Sequence, residues 1–116
     1  MRAINRATMV VRPRQPYADW ADSIDDDDED LRLSLEEHRA DPTAYLIPVV
    51  EDVEQAEEIL VACWPLLFEN ELESWCVDEE AWPADRSLEM FLEWFEVELH
   101  STVVDIAAEP LEGEDL

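Results

Sequence analysis

Glycine is almost missing from this chain: one residue, Gly113, in 116. Loops that cradle phosphate use several glycines so that backbone N–H groups can approach the anion. No Walker loop, dinucleotide fingerprint or nucleophile elbow can be written here, which excludes nucleotide-dependent chemistry of those kinds. Lysine is absent altogether, and seven arginines stand against 32 Asp and Glu. Cysteine is scarce too. On one helix, Cys63 and Cys76 would lie roughly 20 Å apart along the axis and on nearly opposite faces. A bridge needs Cα atoms within about 7 Å, so reduced thiols are expected. No apolar run approaches the ~20 residues of a membrane span. The opening Met1-Arg2-Ala3-Ile4-Asn5-Arg6 shows no signal-peptide cleavage pattern, so a cytoplasmic location without a membrane partner is the expectation.

What is present is a core-forming composition under a large charge. The hydrophobic fraction is 47%, with five Trp, three Phe and two Tyr, whereas disordered acidic chains are poor in aromatics. The length suits one core. The net charge of −25 is uneven: residues 1–18 hold Arg2, Arg6, Arg12 and Arg14 and no acid, so residues 19–116 carry a formal −29. A net of about 2–8 generally keeps a small domain soluble. A body this acidic repels nucleic acid and anionic membrane and favours cationic partners.

Along the chain, Ala7 to Arg12 is rich in β-branched residues and reads as a strand ended by Pro13. Pro16 suits the first turn of a helix, and Tyr17, Trp20, Ala21 and Ile24 follow at helical spacing. Next comes the block Asp25, Asp26, Asp27, Asp28, Glu29, Asp30, whose like charges predict an exposed loop. Leu31 to Leu35 alternates like a strand, yet Ser34 and Glu37 also fit a capping box for a short helix. Thr43 to Val50 reads as a strand in which Pro48 marks an edge or an end. Asp52 with Gln55 opens the main helix in capping-box fashion, and its apolar stripe continues to Trp75. Pro65 predicts a kink or a division there. Ser87 or Asp85 caps a further helix through Leu88, Phe91, Leu92 and Phe95. Glu96 to Ile106 reads as the last strand. The fold expected is α+β: one small acidic domain over residues 1–106, with a mainly antiparallel sheet of three or four strands and helices packed on one face. Residues 107–116 read as a mobile acidic tail.

Few residues suggest chemistry. Glu96, Glu98 and His100 would share one strand face about 7 Å apart, too wide for three ligands to one ion, so a solvated polar face is the plainer reading. His38 is the only other histidine. No metal, cofactor or catalytic residue is expected from this pattern. Arg12-Pro13-Arg14-Gln15-Pro16 contains a Pro-x-x-Pro, which a strand-to-helix connection explains without a partner. Trp64, Trp75 and Trp94 fall on or beside helical apolar stripes and read as core. Trp20 and Trp82 adjoin acidic segments, where an exposed aromatic face could receive an arginine from a partner.

Two stretches carry a resemblance: Val11-Arg12-Pro13-Arg14-Gln15-Pro16-Tyr17 with Trp20, and Phe91-Leu92-Glu93-Trp94-Phe95-Glu96 with Glu98-Leu99-His100-Ser101. Together they resemble a family of small acidic bacterial proteins of uncharacterised function. The resemblance implies a bacterial cytoplasmic single domain and transfers no functional residues.

The leading expectation is a non-enzymatic interaction protein, monomer or homodimer, that docks a basic protein partner and does not bind nucleic acid directly. Its candidate contacts are the acids of residues 25–30, Glu54, Glu57 and Glu58 on the long helix, and Trp20 and Trp82. A sharper form is mimicry of nucleic-acid charge. Carboxylate steps of roughly 6 Å along one helix reach only about a quarter of the charge density of duplex DNA, so a second acidic element would be needed beside it. The alternatives are a metal-assisted enzyme on the Glu96, Glu98 and His100 face, and a structural dimeric subunit.

Overall fold

A computed structural model of the chain describes residues 1–24 and 32–116. The fold is α+β. Strand β1 (Arg2–Ala3) leads to β2 (Ala7–Pro13), α1 (Gln15–Ile24), α2 (Leu35–Arg39) and β3 (Thr43–Ile47). The long α3 (Val53–Trp75) follows, then a 3-10 turn at Glu79–Ala81, α4 (Leu88–Trp94), β4 (Phe95–His100) and β5 (Val104–Asp105). Strands β3, β2 and β4 form an antiparallel sheet in that order, and β1 pairs with β5 in a separate ribbon. No helix among the described residues is long and apolar enough to cross a membrane.

The period of two decides which way each strand faces. Ala7, Met9 and Val11 of the central β2 are buried and point at the helices, while Val10 and Arg12 point away. Two apolar clusters lie under the helices. In one, Val11, Tyr17, Leu67, Phe68, Leu72, Phe91 and Phe95 pack together, and Ala7, Met9, Ile47 and Ala56 make the smaller second. Phe68, Phe91 and Phe95 form the aromatic centre of the first, with centroids 5.0–5.6 Å apart in tilted or edge-on pairs. Such pairs add about 0.5–1.5 kcal/mol each beyond the area they bury.

Caps set most helix starts. Ser34 and Glu37 close a full capping box, which resolves residues 34–39 as a helix start; Leu31 lies outside the described residues. Asp52 accepts from the Gln55 N–H at 2.9 Å, but the Gln55 side chain reaches back to Glu51 N–H and not to Asp52, so the box expected there is only half made. Ser87, not Asp85, caps α4.

Three expectations change. The β3 strand ends at Ile47, before Pro48. Of the kink or division expected at Pro65, the division is absent, since α3 runs through it as one helix. Proline removes the bond to the carbonyl four residues back, at Val61, and both Pro65 and Val61 are exposed, so water can satisfy that carbonyl. The last strand is two: β4 stops at His100, and Val104–Asp105 crosses to pair with Arg2–Ala3, with Ile4 N–H donating to the Val103 carbonyl.

Candidate functional site

Three regions gather polar or reactive side chains. The first is the outer face of the sheet, where β2 and β4 set Arg12 opposite Glu96. The Arg12 guanidinium lies 3.2 Å from Glu98 and 3.8 Å from Glu96, and Arg39 reaches Glu96 at 3.3 Å while donating to the Pro13 carbonyl. His100 Nε2 is 2.6 Å from Glu98. The ~7 Å spacing of alternate strand residues therefore does not keep these side chains apart, because flexible carboxylates lean toward their partners. The His100 hydrogen bond and then Arg12 hold the Glu98 carboxyl below the usual range. Both carboxylates are engaged by the chain's own cations. Among the described residues no three His, Cys, Asp or Glu side chains gather as a metal-ligating group.

The second region is a buried carboxylate that the sequence disguised. Glu71 lies on α3 between the exposed Glu69 and Glu73, yet is 5% exposed. Its carboxylate accepts from Tyr45 Oη at 2.7 Å and Thr43 Oγ1 at 3.0 Å, both on β3. Tyr17 and Ser74 donate to its backbone carbonyl. Burial raises the Glu71 pKa, opposed by the Tyr45 and Thr43 bonds. Desolvation also raises Tyr17 to about 12 and raises Tyr45. A cleft of about 190 Å³ beside this cluster is lined by Tyr17, His38, Thr43, Glu71, Ser74 and Trp75, among others. His38 packs edge-on against Tyr17 and near Trp75, and its desolvation lowers its pKa. Its buried Nε2 has no hydrogen-bond partner.

The third region is an open apolar groove of about 590 Å³ between the first half of α3, α4 and β4. Val53, Leu60 and Val61 of α3 form one wall, Leu88 and Leu92 of α4 another, and Val97 and Leu99 of β4 the floor. Val53 and Val61 are 67% and 59% exposed, and Leu92 is 44% exposed. Glu57, Glu96 and Arg14 also line it, while Glu54 and Glu58 are exposed on the same stretch of α3 and Glu89 and Glu93 on α4.

The structure thus places Glu57 in the lining of an apolar groove, which no local pattern announced, with Glu54 and Glu58 exposed nearby in sequence on the same helix. Trp20 and Trp82 are half-buried, and each indole N–H is already taken, by the Ala81 and Cys76 carbonyls. The cation over Trp82 is the chain's own Arg86, 5.9 Å from the ring. Asp25, Asp26, Asp27, Asp28, Glu29 and Asp30 lie outside the described residues. Cys63 and Cys76 are free thiols, and burial pushes the Cys63 thiol up. No family model, curated protein or solved structure matches the chain.

Proposed function

We propose that this chain is a non-enzymatic, cytoplasmic interaction protein that docks a basic protein partner through the groove between α3, α4 and β4. The observation that carries the reading is the coincidence of open apolar surface with dense acid. The groove's walls are apolar and its lining includes Glu57, Glu96 and Arg14, while Glu54, Glu58, Glu89 and Glu93 are exposed on the two helices that form it; Glu96 is the one of these acids already paired, with Arg12 and Arg39. Apolar surface supplies the burial that holds a complex together, and like-signed rim charge steers an oppositely charged partner to it. A second copy of the chain would bring the same acids together, so the charge selects against self-association. The family resemblance in the sequence supports a bacterial setting.

The test is affinity capture on the immobilised chain, followed by identification and purification of what is retained. The expected partner is a basic protein released as salt rises and no longer bound by a Val61→Ser, Leu92→Ser double variant. A neutral or acidic partner, or one held equally by that variant and at every salt concentration, would overturn the proposal.

A further inference from the structure

The backbone of β4 gives the groove a recognition mode. The Arg14 N–H donates to the Trp94 carbonyl at 2.7 Å, one step beyond the register that pairs Arg12 with Glu96 and Val10 with Glu98. In an antiparallel pair, hydrogen-bonded and non-hydrogen-bonded positions alternate. Glu96, Glu98 and His100 therefore turn their backbone groups toward β2, and Phe95, Val97 and Leu99 turn theirs away. The Phe95 N–H is consumed by the Phe91 carbonyl at the end of α4. The N–H and C=O of Val97 and Leu99 point along the open edge, and β2 is the only strand neighbour of β4 among the described residues. The other edge of the sheet differs: β3 is five residues long and flanked by Pro42 and Pro48, which blunt it.

The side chains of Val97 and Leu99 are also the floor of the groove. Backbone groups awaiting a strand and an apolar trough awaiting side chains thus belong to the same two residues. We infer that β4 is a β-augmentation edge, which takes an extended basic segment of a partner protein as an added strand. The inference rests on the proposed docking function and specifies its chemistry. An added strand alternates its side chains as β4 does. One set enters the groove beside Val97 and Leu99 and must be apolar. The other set lies on the outer face beside Glu96 and Glu98, which Arg12, Arg39 and His100 already contact but whose side chains remain 41% and 44% exposed, so that Arg or Lys of the added strand can share them from the solvent side. The occupant is a segment of alternating apolar and basic residues. Two antiparallel copies of β4 bonded through Val97 and Leu99 would instead set Glu98 against Glu98, or Glu96 against Glu98 when paired about Val97, like-charge pairs that are disfavoured across strands.

Three capped, labelled peptides about six residues long test this, a typical strand length. One alternates Lys and Val, one has the same composition in two blocks, and one is the alternating peptide N-methylated on the edge that would face β4. Binding to the intact chain is read by fluorescence anisotropy, and amide hydrogen exchange is followed by NMR. The alternating peptide should bind at least about tenfold more tightly than either control, a difference of about 1.4 kcal/mol. It should slow exchange at Val97 and Leu99 and leave Glu96 and Glu98, already bonded to β2, unchanged. Equal binding of all three without protection at Val97 and Leu99 would overturn the strand edge while leaving acidic docking intact. No binding by any of them, even at low salt, would bring down the docking function itself. A concentration-dependent dimer of the chain alone, protecting the same two amides, would assign the edge to a second copy and overturn the basic occupant.

Discussion

The two halves of α3, on either side of Pro65, do different work with similar residues. After the proline, Leu67, Phe68 and Leu72 are buried against Tyr17, Phe91 and Phe95, and Glu71 is drawn in with them. Before it, Ala56 alone is fully buried, while Val53 and Val61 stand open over the groove. Apolar content does not separate the halves; what packs against them does. The C-terminal half meets α1, α4 and the sheet, and the N-terminal half has an uncovered trough on one side. A stretch that keeps exposed valines while its neighbour supplies the core is placed for binding more than for folding.

The sharpest way to break that contrast is truncation in each half. Phe68→Ala should cost about 3–5 kcal/mol in denaturant unfolding, because it empties a fully buried aromatic site. Val61→Ala should stay within about 0.5 kcal/mol, as exposed positions do. Equal costs would mean that both halves are core. Pro65→Ala comes next. It restores the bond to the Val61 carbonyl, worth up to about 3 kcal/mol, less about 1 kcal/mol for a freer unfolded chain. A net gain of about 1–2 kcal/mol is expected, and a loss would show that the proline holds the groove wall in place. Ser87→Ala should cost about 1 kcal/mol by removing the cap whose oxygen accepts from Met90 N–H.

The buried acid gives a pH signature. The Glu71 pKa is raised in the folded state, so its contribution to stability is full below the ordinary glutamate value of about 4.3 and is lost as pH rises through the folded value. Glu71→Gln carries no such titration. The stability of the variant relative to wild type should therefore rise as pH increases from about 4 to about 8. General repulsion among the remaining acids is nearly common to both proteins and largely cancels in the difference. A relative stability that falls over that range would mean that Glu71 is stabilised as a carboxylate.

Local signals in the sequence were sufficient for much of the fold. Ser34 with Glu37, Asp52 and Ser87 mark helix starts through bonds made within four residues, Pro16 marks one by its fixed φ, and β-branched residues mark β2, so β2, α1, α3 and α4 could be read directly. What escaped is non-local. Thr102-Val103-Val104 has strand propensity, but only the distant Arg2–Ala3 decides that the chain leaves one sheet for another. Glu71 looks like its neighbours Glu69 and Glu73 until Thr43 and Tyr45 arrive from β3. The groove is likewise invisible in sequence, since Leu92 and Val97 each lie on an ordinary apolar stripe and Val61 lies beside that of α3. Glu54, Glu57 and Glu58 could be singled out by charge, while the apolar surface beside them could not.

The central claim, that acid and groove act together, is tested most directly by association kinetics with the alternating Lys–Val peptide. Wild type, a Glu54→Gln, Glu57→Gln, Glu58→Gln triple variant and the Val61→Ser, Leu92→Ser variant are compared at about 50 and about 300 mM salt, which shortens the screening length from about 14 to about 6 Å. The account predicts that the triple variant associates more slowly, with dissociation little changed and a weaker response to salt. It also predicts that the groove variant, with every charge intact, dissociates at least about tenfold faster at both salt concentrations. Identical dissociation of the groove variant and wild type would contradict the account, leaving the acids as a diffuse field and the groove without a role.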